Sequence, residues 1–92
     1  METEVTHESD ARRFVLMFDG HAGVLDYHVA DGVMSITHTR VPEAIGGRGI
    51  AGSLTRAAVA TARGKGWKVD PVCSYARVWF QRHPQEADVL AS

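Results

Sequence analysis

Cysteine is nearly absent from this chain. Its single copy, Cys73, cannot close an internal disulfide or supply a cysteine-rich zinc site. That usage predicts a reducing compartment, with the cytoplasm as the default. An excess of either charge is also missing: ten Lys and Arg against eleven Asp and Glu leave a formal charge of -1. The electrostatic attraction that dominates nucleic-acid affinity is therefore lacking, and no nucleic-acid partner is expected. No apolar run reaches even about ten residues, and Met1 to Arg13 is polar and acidic, so neither a membrane span nor a signal peptide is expected. The five histidines, His7, His21, His28, His38 and His83, include no pair at metal-ligating spacing, and no metal site is expected. What is present is an ordinary globular composition over 92 residues, 45% hydrophobic and 23% charged. A domain this small has a modest core and correspondingly modest stability.

Along the chain, residues 1–11 read as a polar lead-in that frays for want of apolar anchors, followed by one domain over 12–92. Phe14 to Phe18 is a short apolar run, Asp19-Gly20 a turn, and Val24 to Ala30 alternates, with Leu25, Tyr27 and Val29 on one face. Asp31-Gly32 is a strong two-residue hairpin signal, because a type I′ turn needs positive φ at both central positions. Val33 to Val41 then alternates again, with Met34, Ile36, His38 and Arg40 expected to share a face. Pro42 ends that strand. Ile50, Leu54, Ala57, Ala58 and Ala62 recur at helical spacing and predict a helix from about Arg48 to Arg63. Trp67 to Cys73 is a strand candidate broken by Pro71. Ser74 is the expected N-cap of a second helix with Tyr75, Val78 and Trp79 on one inward stripe, ending at Pro84. The predicted order is βββαβα, an α+β fold in which a three-stranded antiparallel meander precedes α-β-α.

The segment from Val41 to Gly52 runs strand end, glycine-rich loop, helix start. Helix N-termini present unpaired N–H groups and a partial positive charge, so a glycine-rich entry suits a phosphate or pyrophosphate. The alternative is that the glycines merely make a tight turn. Four glycines in seven residues, with Arg48 among them, exceed what one turn needs. Gly47, Gly49 and Gly52 also satisfy G-x-G-x-x-G. The Rossmann context is wrong, since an antiparallel meander comes first and Pro42 to Gly46 intervene. A Walker A loop fails because no Lys follows the last glycine.

These residues resemble the acetyl-CoA motif of the GNAT superfamily of N-acetyltransferases, Q/R-x-x-G-x-G/A. Gly49 and Ala51 occupy its last fixed positions, and Gly46 stands where the pattern has Gln or Arg. Thr37 to Glu43, Pro71 to Tyr75 and Arg82-His83-Pro84 extend the likeness to a branch of small single-domain GNAT-like proteins, over roughly residues 12 to 90. The resemblance implies a compact GNAT-like fold, acetyl-CoA as cosubstrate, and an unidentified amine acceptor. It implies that Val41, Gly46, Gly47, Arg48, Gly49, Ile50, Ala51 and Gly52 hold the cofactor. On its residues alone, Cys73 reads as an inert core cysteine more readily than as a reactive thiol ahead of a helix N-terminus. The resemblance reverses that order and implies an active-site cysteine at the thioester. His38 is either a hydrogen-bonded core histidine or the general base that amine acetylation needs, because only an uncharged amine attacks a thioester. The expected activity is acetyl transfer to an amine by a monomer; the alternative is a non-catalytic module that binds acyl-CoA or CoA.

Overall fold

A computed structural model describes residues 4–91. It is an α+β fold built on one five-stranded sheet, in the order β1 (Val5–Glu8), β2 (Arg13–Phe18), β3 (His21–Ala30), β4 (Val33–Arg40), β5 (Lys68–Pro71). The first four strands are antiparallel neighbours, and β5 returns parallel to β4 after the crossover helix α1 (Ile50–Lys65). Helix α2 (Ser74–Arg82) and a 3-10 segment (Pro84–Val89) complete the chain. No helix among the described residues is long and apolar enough to cross a membrane.

The meander forms where the sequence predicts it. Asp19-Gly20 and Asp31-Gly32 both take positive φ throughout, the backbone a tight two-residue hairpin requires. Alternate residues Phe14, Leu16, Leu25, Tyr27, Met34 and Ile36 enter the core and meet Ile50, Leu54, Ala58, Val59 and Ala62 of α1 together with Ala76, Trp79 and Phe80 of α2. Gly23 is what lets α1 sit so close: a Cβ there would stand 2.7 Å from Ile50 Cγ2.

Three expectations are corrected. The lead-in predicted to fray carries β1, and the order becomes ββββαβα. Its anchors are Val5, which packs against the core, and an aromatic stack: the His7 ring lies 4.2 Å from that of Phe14, nearly parallel to it, and shares a 2.5 Å hydrogen bond with Tyr27 Oη. The N-cap of α2 is Cys73, not Ser74; its Sγ accepts the Ala76 N–H at 3.4 Å. The expected inward stripe of α2 is also shifted, with Ala76, Trp79 and Phe80 buried while Tyr75 and Val78 are more than a third exposed.

Candidate functional site

The site is built where two neighbouring strands part. β5 pairs with β4 only from Val33↔Lys68 to Ile36↔Pro71. The Ile36 carbonyl then accepts both the Val72 and Cys73 N–H groups, and the chain turns away into α2. Strand β4 runs on as Thr37 to Arg40, paired with β3 on one side and with no strand on the other among the described residues. The parting is accompanied by a bulge. Register passes from Tyr27↔Ile36 to Asp26↔His38, leaving Thr37 as the extra residue, and its hydroxyl donates to the Asp26 carbonyl.

That one inserted residue reverses the side-chain alternation beyond it. Leu25 and Tyr27 point into the core, so Asp26 and its partner His38 point to the opposite face of the sheet, where His38 is exposed. His38 therefore does not share a face with Met34 and Ile36. Thr39, opposite buried Leu25, takes the inner position instead, and its Oγ1 lies 3.5 Å from Cys73 Sγ. Cys73 itself is half-buried at the fork between β4 and α2.

After Val41 and Pro42 a 3-10 turn, Glu43–Ile45, leads into the glycine loop. Gly47 and Gly49 have φ of +76° and +74°, left-handed backbone that other residues adopt only under strain. A Cβ at either would meet nothing within 4 Å, so the space beside the loop is open. Gly49 is the N-cap of α1 and offers no side chain to its first N–H groups. Those donors, with the helix dipole behind them, make an anion cradle. A cavity of about 230 Å³ gathers Val41, Gly46, Gly47, Gly49, Ile50, Ala51 and Gly52, with Ile45 at its base and Tyr75 on its far wall.

The structure thus brings together every expected cofactor-binding residue except Arg48, whose guanidinium lies over the Phe18 ring at 5.2 Å. Helical spacing puts Tyr75 on the core stripe, but its Oη stands 3.5 Å from where a Gly52 Cβ would be. A signal for this existed in the sequence, since a glycine in the first turn of α1 leaves room for a large residue opposite.

A profile of the family described as GCN5-related N-acetyl-transferase matches residues 13–89. The chain is 30% identical to Protein NATD1 of Gallus gallus over 84 residues, 88% of this chain and 76% of that one. It is likewise 30% identical to Protein NATD1 of Homo sapiens over 83 residues, 87% and 74% of the two chains. Among solved structures it superposes with a TM-score of 0.76 on an NMR solution structure from Staphylococcus aureus described as GCN5-like, 24% identical and covering 98% of this chain and 89% of that one.

Proposed function

The chain belongs to the GCN5-related N-acetyltransferase family, and from that membership we propose that it is an acetyl-CoA-dependent N-acetyltransferase acting in the cytoplasm on an amine. The observation that carries this is the open, uncapped N-terminus of α1 beside glycines in left-handed backbone, a cradle fitted to a pyrophosphate. The residues present fit the ligand. Gly46 to Gly52 take the pyrophosphate through backbone N–H groups, and the free edge of Thr37 to Arg40 accepts the amide groups of the pantetheine arm as a strand would. Val41 and Ile50 pack its apolar portions. The thioester then arrives at the fork, beside Cys73 and Thr39.

Two routes are compatible with a thiol there. In one, Cys73 Sγ attacks the thioester carbonyl and its proton goes to the departing CoA sulfur; the neutral amine then attacks the acetyl-cysteine carbonyl, the C–S bond breaks, and an amine proton returns to Cys73 Sγ as the amide forms. In the other the neutral amine attacks the thioester directly, the C–S bond breaks, the CoA sulfur leaves with the proton the amine gives up, and Cys73 lines the pocket. His38 takes the amine proton only for an acceptor that approaches over the outer face of the sheet, where the bulge has turned it. That outward turn favours a second reading, a module that binds CoA without turnover.

On the first route acetyl-CoA alone adds about 42 Da at Cys73, the mass of an acetyl group replacing hydrogen, and on the second no stable adduct forms. Cys73→Ala is expected to keep CoA affinity, losing turnover on the first route and keeping part of its rate on the second. CoA release with candidate amines separates enzyme from module: turnover supports the enzyme, and full activity in a folded Cys73→Ala protein removes the cysteine from the reaction.

A further inference from the structure

A second cavity, of about 270 Å³, leads off from the glycine loop along the groove between α1 and α2, and shares Gly49, Gly52 and Tyr75 with the first. Helical spacing builds it. Gly49, Gly52, Ser53 and Arg56 form one stripe of α1, and Tyr75, Val78, Trp79 and Arg82 the facing stripe of α2. Because α1 presents glycine and serine, the helices leave a channel between them. The far end of that channel carries Arg56 and Arg82, with His83 beside them, and no carboxylate lines it.

Three arginines elsewhere are ion-paired, Arg13 with Glu8, Arg40 with Asp26, and Arg63 with Glu86 and Asp88, while Arg77 donates to the Pro71 carbonyl and Arg48 lies over Phe18. Arg56 and Arg82 make no hydrogen bond or ion pair among the described residues, and the protein as a whole is slightly acidic. Two unpaired guanidinium groups across one groove, in a chain with no basic excess, mark a place for an anion. The groove is lined by an aromatic pair, His83 stacked on Trp79 at 4.2 Å, and Trp79 Nε1 is a buried side-chain donor with no partner among the described residues. From Gly49 to Arg56 is seven residues, a rise of roughly 10 Å along the helix, so this anion lies well beyond one held at the loop.

We propose that the α1–α2 groove is a second phosphate site, in which Arg56 and Arg82 bind the ribose 3′-phosphate of CoA and make the protein selective for CoA over 3′-dephospho-CoA. This rests on the CoA reading of the glycine loop and adds to it a specificity determinant. The groove takes the nucleoside end of the ligand, while the loop holds the pyrophosphate and the fork the thioester.

Calorimetric titration with CoA and with 3′-dephospho-CoA tests it. The unaltered protein is expected to prefer CoA by roughly tenfold or more, a preference that shrinks as salt is raised. The double variant Arg56→Gln/Arg82→Gln is expected to bind both ligands alike, with the affinity the unaltered protein shows for 3′-dephospho-CoA. Equal binding of the two ligands by the unaltered protein overturns this proposal and leaves the CoA reading standing. A preference that survives the double substitution also overturns it. Binding of neither ligand overturns both. The salt dependence is read on the unaltered protein and needs no variant to fold.

Discussion

At its C-terminal end α1 is closed on itself, whereas at its N-terminal end the same helix is left open. Gly66, in left-handed backbone, caps the C-terminus with bonds to the Ala62 and Arg63 carbonyls, and Trp67 N–H returns to Ala62 at 2.8 Å. Arg63 reaches across to Glu86 and Asp88 at 2.7 Å each and ties the helix to the last segment of the chain. At the other end Gly49 supplies the left-handed turn but no capping side chain. The lesson is a division of labour along one element. Carbonyls at one end are satisfied within the fold, so stability resides there, while N–H groups at the other stay available to a ligand. Gly23 links the two roles, since its missing Cβ sets how closely the open end approaches the sheet.

The largest expected effect breaks the closed end. Met34, fully buried, pairs with Val69 beside Lys68, whose N–H bonds Gly32. Met34→Ala is expected to cost about 2 to 5 kcal/mol of stability, read by denaturant melts, with the CoA affinity of the folded protein unchanged. A comparable loss of affinity would mean the two ends are not separable. Gly52→Ala sharpens the contrast from the open side. Gly52 has ordinary helical backbone, so alanine should add up to about 1 kcal/mol of helix stability. The new methyl stands 3.5 Å from Tyr75 Oη, between the two cavities, and is expected to weaken CoA roughly tenfold. A more stable variant that binds as well as before would contradict the site.

The smallest effect is a pH dependence, and it belongs to the closed end. Burial, and secondarily the nearby Lys65 charge, hold the His7 imidazole below the ordinary histidine value. The folded state thus favours neutral His7, and its contribution is present above about pH 6.5 and lost as pH falls below it. Asp88, held low mainly by its hydrogen bond from Arg63, acts in the same direction at more acid pH. Chemical denaturation at a series of pH values should show stability falling between neutral and mildly acid pH, and His7→Gln should flatten that slope. A flat profile in the unaltered protein would remove His7 from the account.

Much of this was legible in the sequence, for definite reasons. The hairpin turns were readable because Asp-Gly pairs specify positive φ, and the glycine loop because no single turn needs four glycines. The strand β1 is not, because beside the single aliphatic Val5 its anchor is a histidine whose ring stacks on Phe14 while its nitrogen meets Tyr27. Strict alternation carried through Thr37 puts His38 on the wrong face, because a bulge of one residue leaves no signature in a run of β-formers. Helical periodicity gives the stripe that holds Tyr75 and not what it faces, and that stripe lines a groove.

The central claim is that the open end of α1 and the adjoining fork bind CoA. Titration of isotope-labelled protein with CoA, followed by amide NMR, tests it residue by residue. The largest shifts are expected on Gly46 to Gly52, on the free edge of Thr37 to Arg40 and on Tyr75, while Ala62 to Trp67 at the closed end stay fixed. At about one hundred times the dissociation constant the fold should also gain roughly 2.7 kcal/mol. Shifts confined to the closed end, or none at all with millimolar CoA, would contradict it.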